Sequence, residues 1–286
     1  MLDYDVSPDG TAIVYSALRE DGGADLWLVG TDGRESRLLL ACPGQACTAP
    51  DWAPDDRIAY ERRDMGEGAD EPHVWLVDPA DGATVPAMAG DRMVGMGPRW
   101  SPRGEGIVTY DPLEAAVVIL DQGAGTSRRF SSRAGLSGVW SPAGDRVLTS
   151  DLIIGDAVGY HLYAVEAVGD GQANLSGDDA LVQDGWPAWS PDGEWIAFVR
   201  RELAGPQATL GQQVWLMRAD GSDARAVWVD AGATFSWVAW RPDGQALACV
   251  RRLVSDPNAR PELWLAPFDG EPVQVIEAGT TPIWLP

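Results

Sequence analysis

Three arginine doublets, Arg62-Arg63, Arg200-Arg201 and Arg251-Arg252, are alike in that each directly follows the short β-rich run after a proline turn. A guanidinium binds carboxylate or phosphate in a planar fork. Three doublets gathered by the fold would therefore suit an anionic group. The same arginines can instead pair with Glu20, Asp21, Asp64, Glu67, Asp70 and Glu71 in neighbouring segments. Exposed pairs of that kind contribute little stability.

The other candidates for chemistry are few. Cys42 and Cys47 stand five positions apart in ACPGQACTAP and read as a local disulfide, as two free thiols or as a metal site. A zinc site needs about four ligands, and no partner cluster is in sight. A disulfide would imply an oxidising compartment. Cys249, inside ALACV, reads as a buried strand residue. The two histidines, His73 and His161, each precede an apolar run, a position held elsewhere by Asp25, Gln213 and Glu262. Such free exchange of type fits a structural polar position. The loop from Asp64 to Glu71 is acidic, but it lacks the EF-hand spacing. No nucleophile elbow, HExxH or Walker A motif occurs, and no glycine-rich fingerprint follows a strand. The chain has 43 acidic residues, so chance proximity of two carboxylates carries no signal.

All 21 basic residues are arginine, and the formal net charge is −22. The absence of lysine excludes Schiff-base chemistry and the P-loop lysine. The negative field repels nucleic acid and anionic membranes. No apolar run reaches the length of a spanning helix. Residues 1–10 lack the charged and apolar regions of a secretory signal.

What must position these residues is a repeat. Val6-Ser7-Pro8-Asp9-Gly10 recurs as Trp52-Ala53-Pro54-Asp55-Asp56, Trp100-Ser101-Pro102-Arg103-Gly104 and Trp140-Ser141-Pro142-Ala143-Gly144. It recurs again as Trp189-Ser190-Pro191-Asp192-Gly193 and Trp240-Arg241-Pro242-Asp243-Gly244, and the chain ends on Trp284-Leu285-Pro286. The prolines at 8, 54, 102, 142, 191, 242 and 286 are 40 to 51 residues apart, close to the roughly 40–45 of a propeller blade. Each unit reads as four strands. Strand A ends in the aromatic, S-P-D-G turns the chain, and strand B is a short β-rich run. Strand C is the most apolar, as in Val214-Trp215-Leu216-Met217, and an Asp-Gly turn leads to strand D. Such sheets hide both faces only by stacking around an axis. Ten of the fourteen tryptophans fall at the end of strand A or in strand C, where they would pack between blades.

The expected fold is therefore all-β: a β-propeller of six complete four-stranded blades. The repeats run over about 1–47, 48–95, 96–135, 136–183, 184–233 and 234–278 as one domain, and 279–286 is a lone closing strand. That strand points to a seventh blade whose other strands lie upstream, or to an add-on to a six-bladed ring. The residues W-S-P-D-G…I-A-F…V-W-L-M-x-A-D-G-S at 189–222 resemble the WD40-like PD40 repeats of the TolB-like propellers. The resemblance covers essentially the whole chain and extends to the propellers that gate prolyl-oligopeptidase-type serine peptidases.

On this topology the A–B and C–D turns share one face, and the longer B–C and D–A connections share the other. Loops on a rigid scaffold commonly carry binding, so the second face is expected to work. The resemblance implies a non-enzymatic, extracytoplasmic scaffold that binds a protein or peptide there. It is expected to be a monomer without cofactor, metal or nucleic acid. The alternatives are an accessory propeller of a larger prolyl-oligopeptidase-type hydrolase, or a propeller hydrolase or lyase.

Overall fold

The computed structural model describes the chain except residues 1, 2, 67, 69, 89–92, 155–157, 178–180, 206, 207, 257, 281, 283, 285 and 286. Among the described residues every regular element is a strand, and no helix is long and apolar enough to cross a membrane. The expected closing strand, 279–286, falls partly outside the described residues.

The chain divides into two compact units, Met1–Trp140 and Ser141–Trp284. In the first, β1 (Tyr4–Val6), β2 (Ala12–Leu18), β3 (Ala24–Gly30) and β4 (Arg37–Leu40) pair in order, each antiparallel to the last. The same order repeats in β5 (Gln45–Trp52), β6 (Ile58–Asp64), β7 (His73–Val77) and β8 (Thr84–Pro86). It repeats again in β9 (Met96–Trp100), β10 (Gly106–Asp111), β11 (Ala116–Asp121) and β12 (Thr126–Ser131), and β13 (Val139–Trp140) follows. The second unit holds β14 (Arg146–Ile154), β15 (Val158–Glu166) and β16 (Gln172–Asn174). After them come β17 (Val182–Trp189), β18 (Trp195–Glu202), β19 (Gln213–Arg218) and β20 (Arg225–Trp228). The last set is β21 (Ala233–Trp240), β22 (Ala246–Leu253), β23 (Glu262–Pro267) and β24 (Val273–Ile276).

The turn after each first strand explains the repeat. The Gly10 amide donates to the Ser7 carbonyl at 2.8 Å, with φ of 70°. The Asp9 carboxylate accepts from Ser7 Oγ at 2.6 Å and from the Thr11 amide at 3.0 Å. These bonds, the Ser7 one foremost, pull the Asp9 pKa down to about 2. Where Ala143 replaces the aspartate, Asp145 steps in and accepts from Ser141 Oγ at 2.6 Å. The turn of the second repeat is one residue shorter. There the Ala53 amide reaches the Arg57 carbonyl, and Asp56 takes the glycine's place at φ of 70°.

Buried side chains from successive repeats mix in shared cores. Val14, Leu26 and Leu28 pack with Ile58, Tyr60 and Val77 in the first unit. Leu148 and Leu162 pack with Ile196, Phe198 and Met217 in the second. Full burial of a side chain of this size is worth about 1.5–3 kcal/mol, so each repeat is stabilised by its neighbour. Single parallel bridges, Ala24 with Ala46 and Tyr160 with Gln183, join β3 to β5 and β15 to β17. The expectation of separate four-stranded sheets is corrected accordingly. The first strands begin earlier than their apolar ends suggest and meet the preceding third strand.

The second strands also run longer than expected. They run past the apolar runs to Leu18 in β2, Asp64 in β6, Glu202 in β18 and Leu253 in β22, and β14 and β15 continue to Ile154 and from Val158. Polar residues at strand spacing continue the ladder after the apolar run stops.

Candidate functional site

The arginine doublets lie on strands, not on the loops after them. Arg62 pairs in register with His73, Arg200 with Gln213 and Arg251 with Glu262. The first member of each doublet does one job three times. Its guanidinium lies over the third-strand tryptophan of its own repeat, at 4.6 Å from Trp75, 5.0 Å from Trp215 and 5.4 Å from Trp264. It also reaches to the head of the first strand. Arg62 Nε donates to Gln45 Oε1 at 2.7 Å. Arg200 binds Asp184 through two bonds of 2.7 and 2.6 Å. Arg251 donates to Asp230 at 2.7 Å and to Glu262 at 2.9 Å. The partners are therefore not the neighbouring loop acids expected from sequence; Glu67 among them lies outside the described residues, and Asp21 pairs with Arg19. Of the second members, Arg63 reaches Glu61 at 3.3 Å and Arg201 Nε donates to the Thr209 carbonyl at 3.2 Å. Arg252 is exposed. Arg62 and Arg63 belong to the first unit and the other four to the second.

The first polar residue of the third strand has a structural task as well. Asp25 accepts the Cys42 amide at 2.8 Å, Gln213 accepts the Asp230 amide at 2.6 Å, and buried His161 lies 3.2 Å from Asn174 Nδ2. Cys42 and Cys47 are joined by a disulfide, and Cys249 is a free, buried thiol. Burial raises the Cys249 pKa to about 12. No group of three metal-ligating side chains occurs among the described residues.

Two adjoining cavities in the first unit flank Arg62. One, of about 290 Å³, is lined by Leu40, Cys42, Pro43, Gln45 and Arg62 among others. The second, of about 140 Å³, brings Arg62 and His73 beside Asp64, Asp70 and Glu71. Three carboxylates against one guanidinium make this an unfavourable place for an anion.

A carboxylate chain that sequence reasoning missed crosses the first strands of the same unit. Asp5 accepts the Trp52 amide at 2.7 Å, and Asp51 accepts the Trp100 amide at 2.6 Å and Arg99 Nη1 at 2.9 Å. Burial, then the Asp51 charge, lifts Asp5 to about 7. Burial also raises Asp51, against the pull of Arg99. The pair can hold a proton near neutrality. Its signal was present: an aspartate directly before the end of strand A in two successive repeats.

A second missed feature is a left-handed bulge in each long first strand. Ala49, Gly97, Trp186 and Trp237 sit at φ of 49°, 55°, 51° and 51°, where the pairing registers slip. Pro50, Pro98 and Pro187 follow three of them; having no N–H, they lose no ladder bond at the bulge. Tryptophan at such a φ costs on the order of 1–3 kcal/mol. The Trp186 and Trp237 rings stack at 5.1 Å between centroids, tilted by 44°, and Trp186 is 41% exposed.

No family model matches the chain. An uncharacterized peptidase of Bacillus subtilis (strain 168), YuxL, is 26% identical over 209 residues, which cover 59% of this chain and 32% of that protein. The chain thus spans about a third of the length of the curated relative it matches. The β-propeller domain of the Trilobed protease from Pyrococcus furiosus superposes with a TM-score of 0.67 at 14% identity, covering 96% of this chain and 82% of that one. The putative TolB from Agrobacterium tumefaciens gives 0.62 at 19% identity, covering 96% and 93%. The expectation of a non-enzymatic protein is corrected by the first two likenesses, to a protein named a peptidase and to a domain of a protease. With the repeated antiparallel sets of strands, these likenesses show that the chain has the fold of the TolB-like, WD40-like β-propellers.

Proposed function

We propose that this chain is the accessory propeller of a prolyl-oligopeptidase-type hydrolase, admitting peptides to a catalytic domain. The observation that carries the reading is the 209-residue match to YuxL, which takes up 32% of that protein and leaves room there for a catalytic domain. The protease propeller of similar fold supports it. His161 is buried, and Asp5 and Asp51 each accept a backbone amide, so these groups read as structural here. In this reading the propeller contributes selection and exclusion, and the partner it handles is a peptide. Arg201 and Arg252 are the doublet members left for a peptide carboxylate. The Cys42–Cys47 disulfide supports an extracytoplasmic setting.

The test is hydrolysis of a peptide series of increasing length by the product of the complete reading frame, with and without residues 1–286. The reading expects a preference for short peptides that weakens when the propeller is removed. Identical length profiles would refute it.

A further inference from the structure

This chain repeatedly places an arginine over a tryptophan. Guanidinium carbons lie 4.5 Å from the Trp100 ring centre, 4.6 Å from Trp75, 5.0 Å from Trp189 and Trp215, 4.0 Å from Trp195 and 5.4 Å from Trp264. Cations settle there because the ring face carries negative partial charge. Trp186 and Trp237 carry no such cation among the described residues, and neither indole N–H donates to a described protein group. The two rings stack on each other at 5.1 Å, and Trp186 is the one tryptophan among the exposed large apolar residues.

Backbone geometry makes the pair unusual. Both residues hold φ of 51°, at the bulge position where the earlier repeats have Ala49 and Gly97. A left-handed bulge favours glycine. Core packing does not explain an exposed ring held in a strained backbone, and strain of this kind marks positions where the side chain is used. The formal charge of −22 draws cations toward the whole chain.

We propose that Trp186 and Trp237 form a subsite for the guanidinium of an arginine side chain on a bound peptide. The peptide comes from the reading above; the selected side chain is added by this pair. An incoming arginine repeats on the exposed Trp186 ring, backed by Trp237, the contact that resident arginines make elsewhere.

The test is calorimetric titration of the 286-residue chain with acetyl-Ala-Arg-Ala-amide, its citrulline analogue and its leucine analogue. The arginine peptide is expected to bind about tenfold more tightly than either analogue, and less tightly as salt is raised. Trp186→Gly with Trp237→Gly should weaken it about tenfold. Glycine suits φ of 51°, so that variant keeps its fold, which circular dichroism checks. Trp186→Phe, which keeps a ring, should retain most of the affinity. Equal binding of the citrulline peptide, no binding at millimolar peptide, or unchanged affinity in the double glycine variant would overturn the subsite. Arginine selectivity without any length-dependent hydrolysis by the complete reading frame would overturn the peptidase reading alone.

Discussion

Replacing Asp184 by asparagine should destabilise the second unit more than any other single polar change there. Asp184 is fully buried at its side chain and Arg200 keeps only 10% of its own exposed. Two bonds of 2.7 and 2.6 Å join them, and Asp184 also accepts from Ser176 Oγ at 2.6 Å. The guanidinium is held further between Phe198, at 5.3 Å, and Trp215, at 5.0 Å. Asparagine preserves shape and removes the charge, so buried Arg200 loses the carboxylate that grips it through two bonds. Breaking a buried pair from one side costs about 3–5 kcal/mol. For a unit of roughly this size, each kcal/mol moves the midpoint by about 2–4 °C, so the thermal transition should fall by roughly 6–20 °C. Differential scanning calorimetry reads this directly. The double change Asp184→Leu with Arg200→Met removes both charges and should recover most of the loss. A fall under about 1 kcal/mol for Asp184→Asn, the range of exposed pairs, would show that this arginine is not clamped as described.

Three further outcomes follow from the same geometry. Asp5 titrates near 7 when folded, against 3.8 when free. The folded chain therefore holds a proton that the unfolded chain has released across that window, and this part of the stability falls as pH rises from about 4 to 7. Asp5→Asn should flatten that dependence in urea melts at a series of pH values, and the variant should be the more stable of the two above pH 7. Reducing the Cys42–Cys47 bridge, which closes a loop with a sequence separation of 5, should cost about 2 kcal/mol, read as a lower melting temperature in reductant. Ala49→Gly relieves an alanine at φ of 49° and should stabilise the first unit by roughly 0.5–1 kcal/mol, measured by urea denaturation.

The repeat was legible because its turn chemistry is local. Ser-Pro-Asp-Gly makes its bonds within five residues, so Ser7, Ser190 and their aspartates announce each hairpin wherever it lies. Strand ends were less legible. Arg62, Arg200 and Arg251 look like loop residues because they are charged, yet aromatic faces on the third strand and polar partners at or just before the first draw them into the ladder. Their partners, Gln45, Asp184 and Asp230, lie 16 to 21 positions away, beyond the reach of spacing rules. The bulges were hidden by their own variety. Ala49, Gly97, Trp186 and Trp237 share a backbone conformation and no side-chain chemistry; only the prolines after three of them hint at it. The Asp5–Asp51–Arg99 chain was dismissed with the other carboxylates because composition counts them without placing them.

A propeller that serves a hydrolase leaves the nucleophile to another part of the same protein. Labelling the complete reading-frame product with a fluorophosphonate probe, followed by intact mass and mapping of the modified residue, should find one probe per chain, on a serine outside residues 1–286. Absence of labelling under conditions where a control serine peptidase reacts fully, or attachment within residues 1–286, would contradict it.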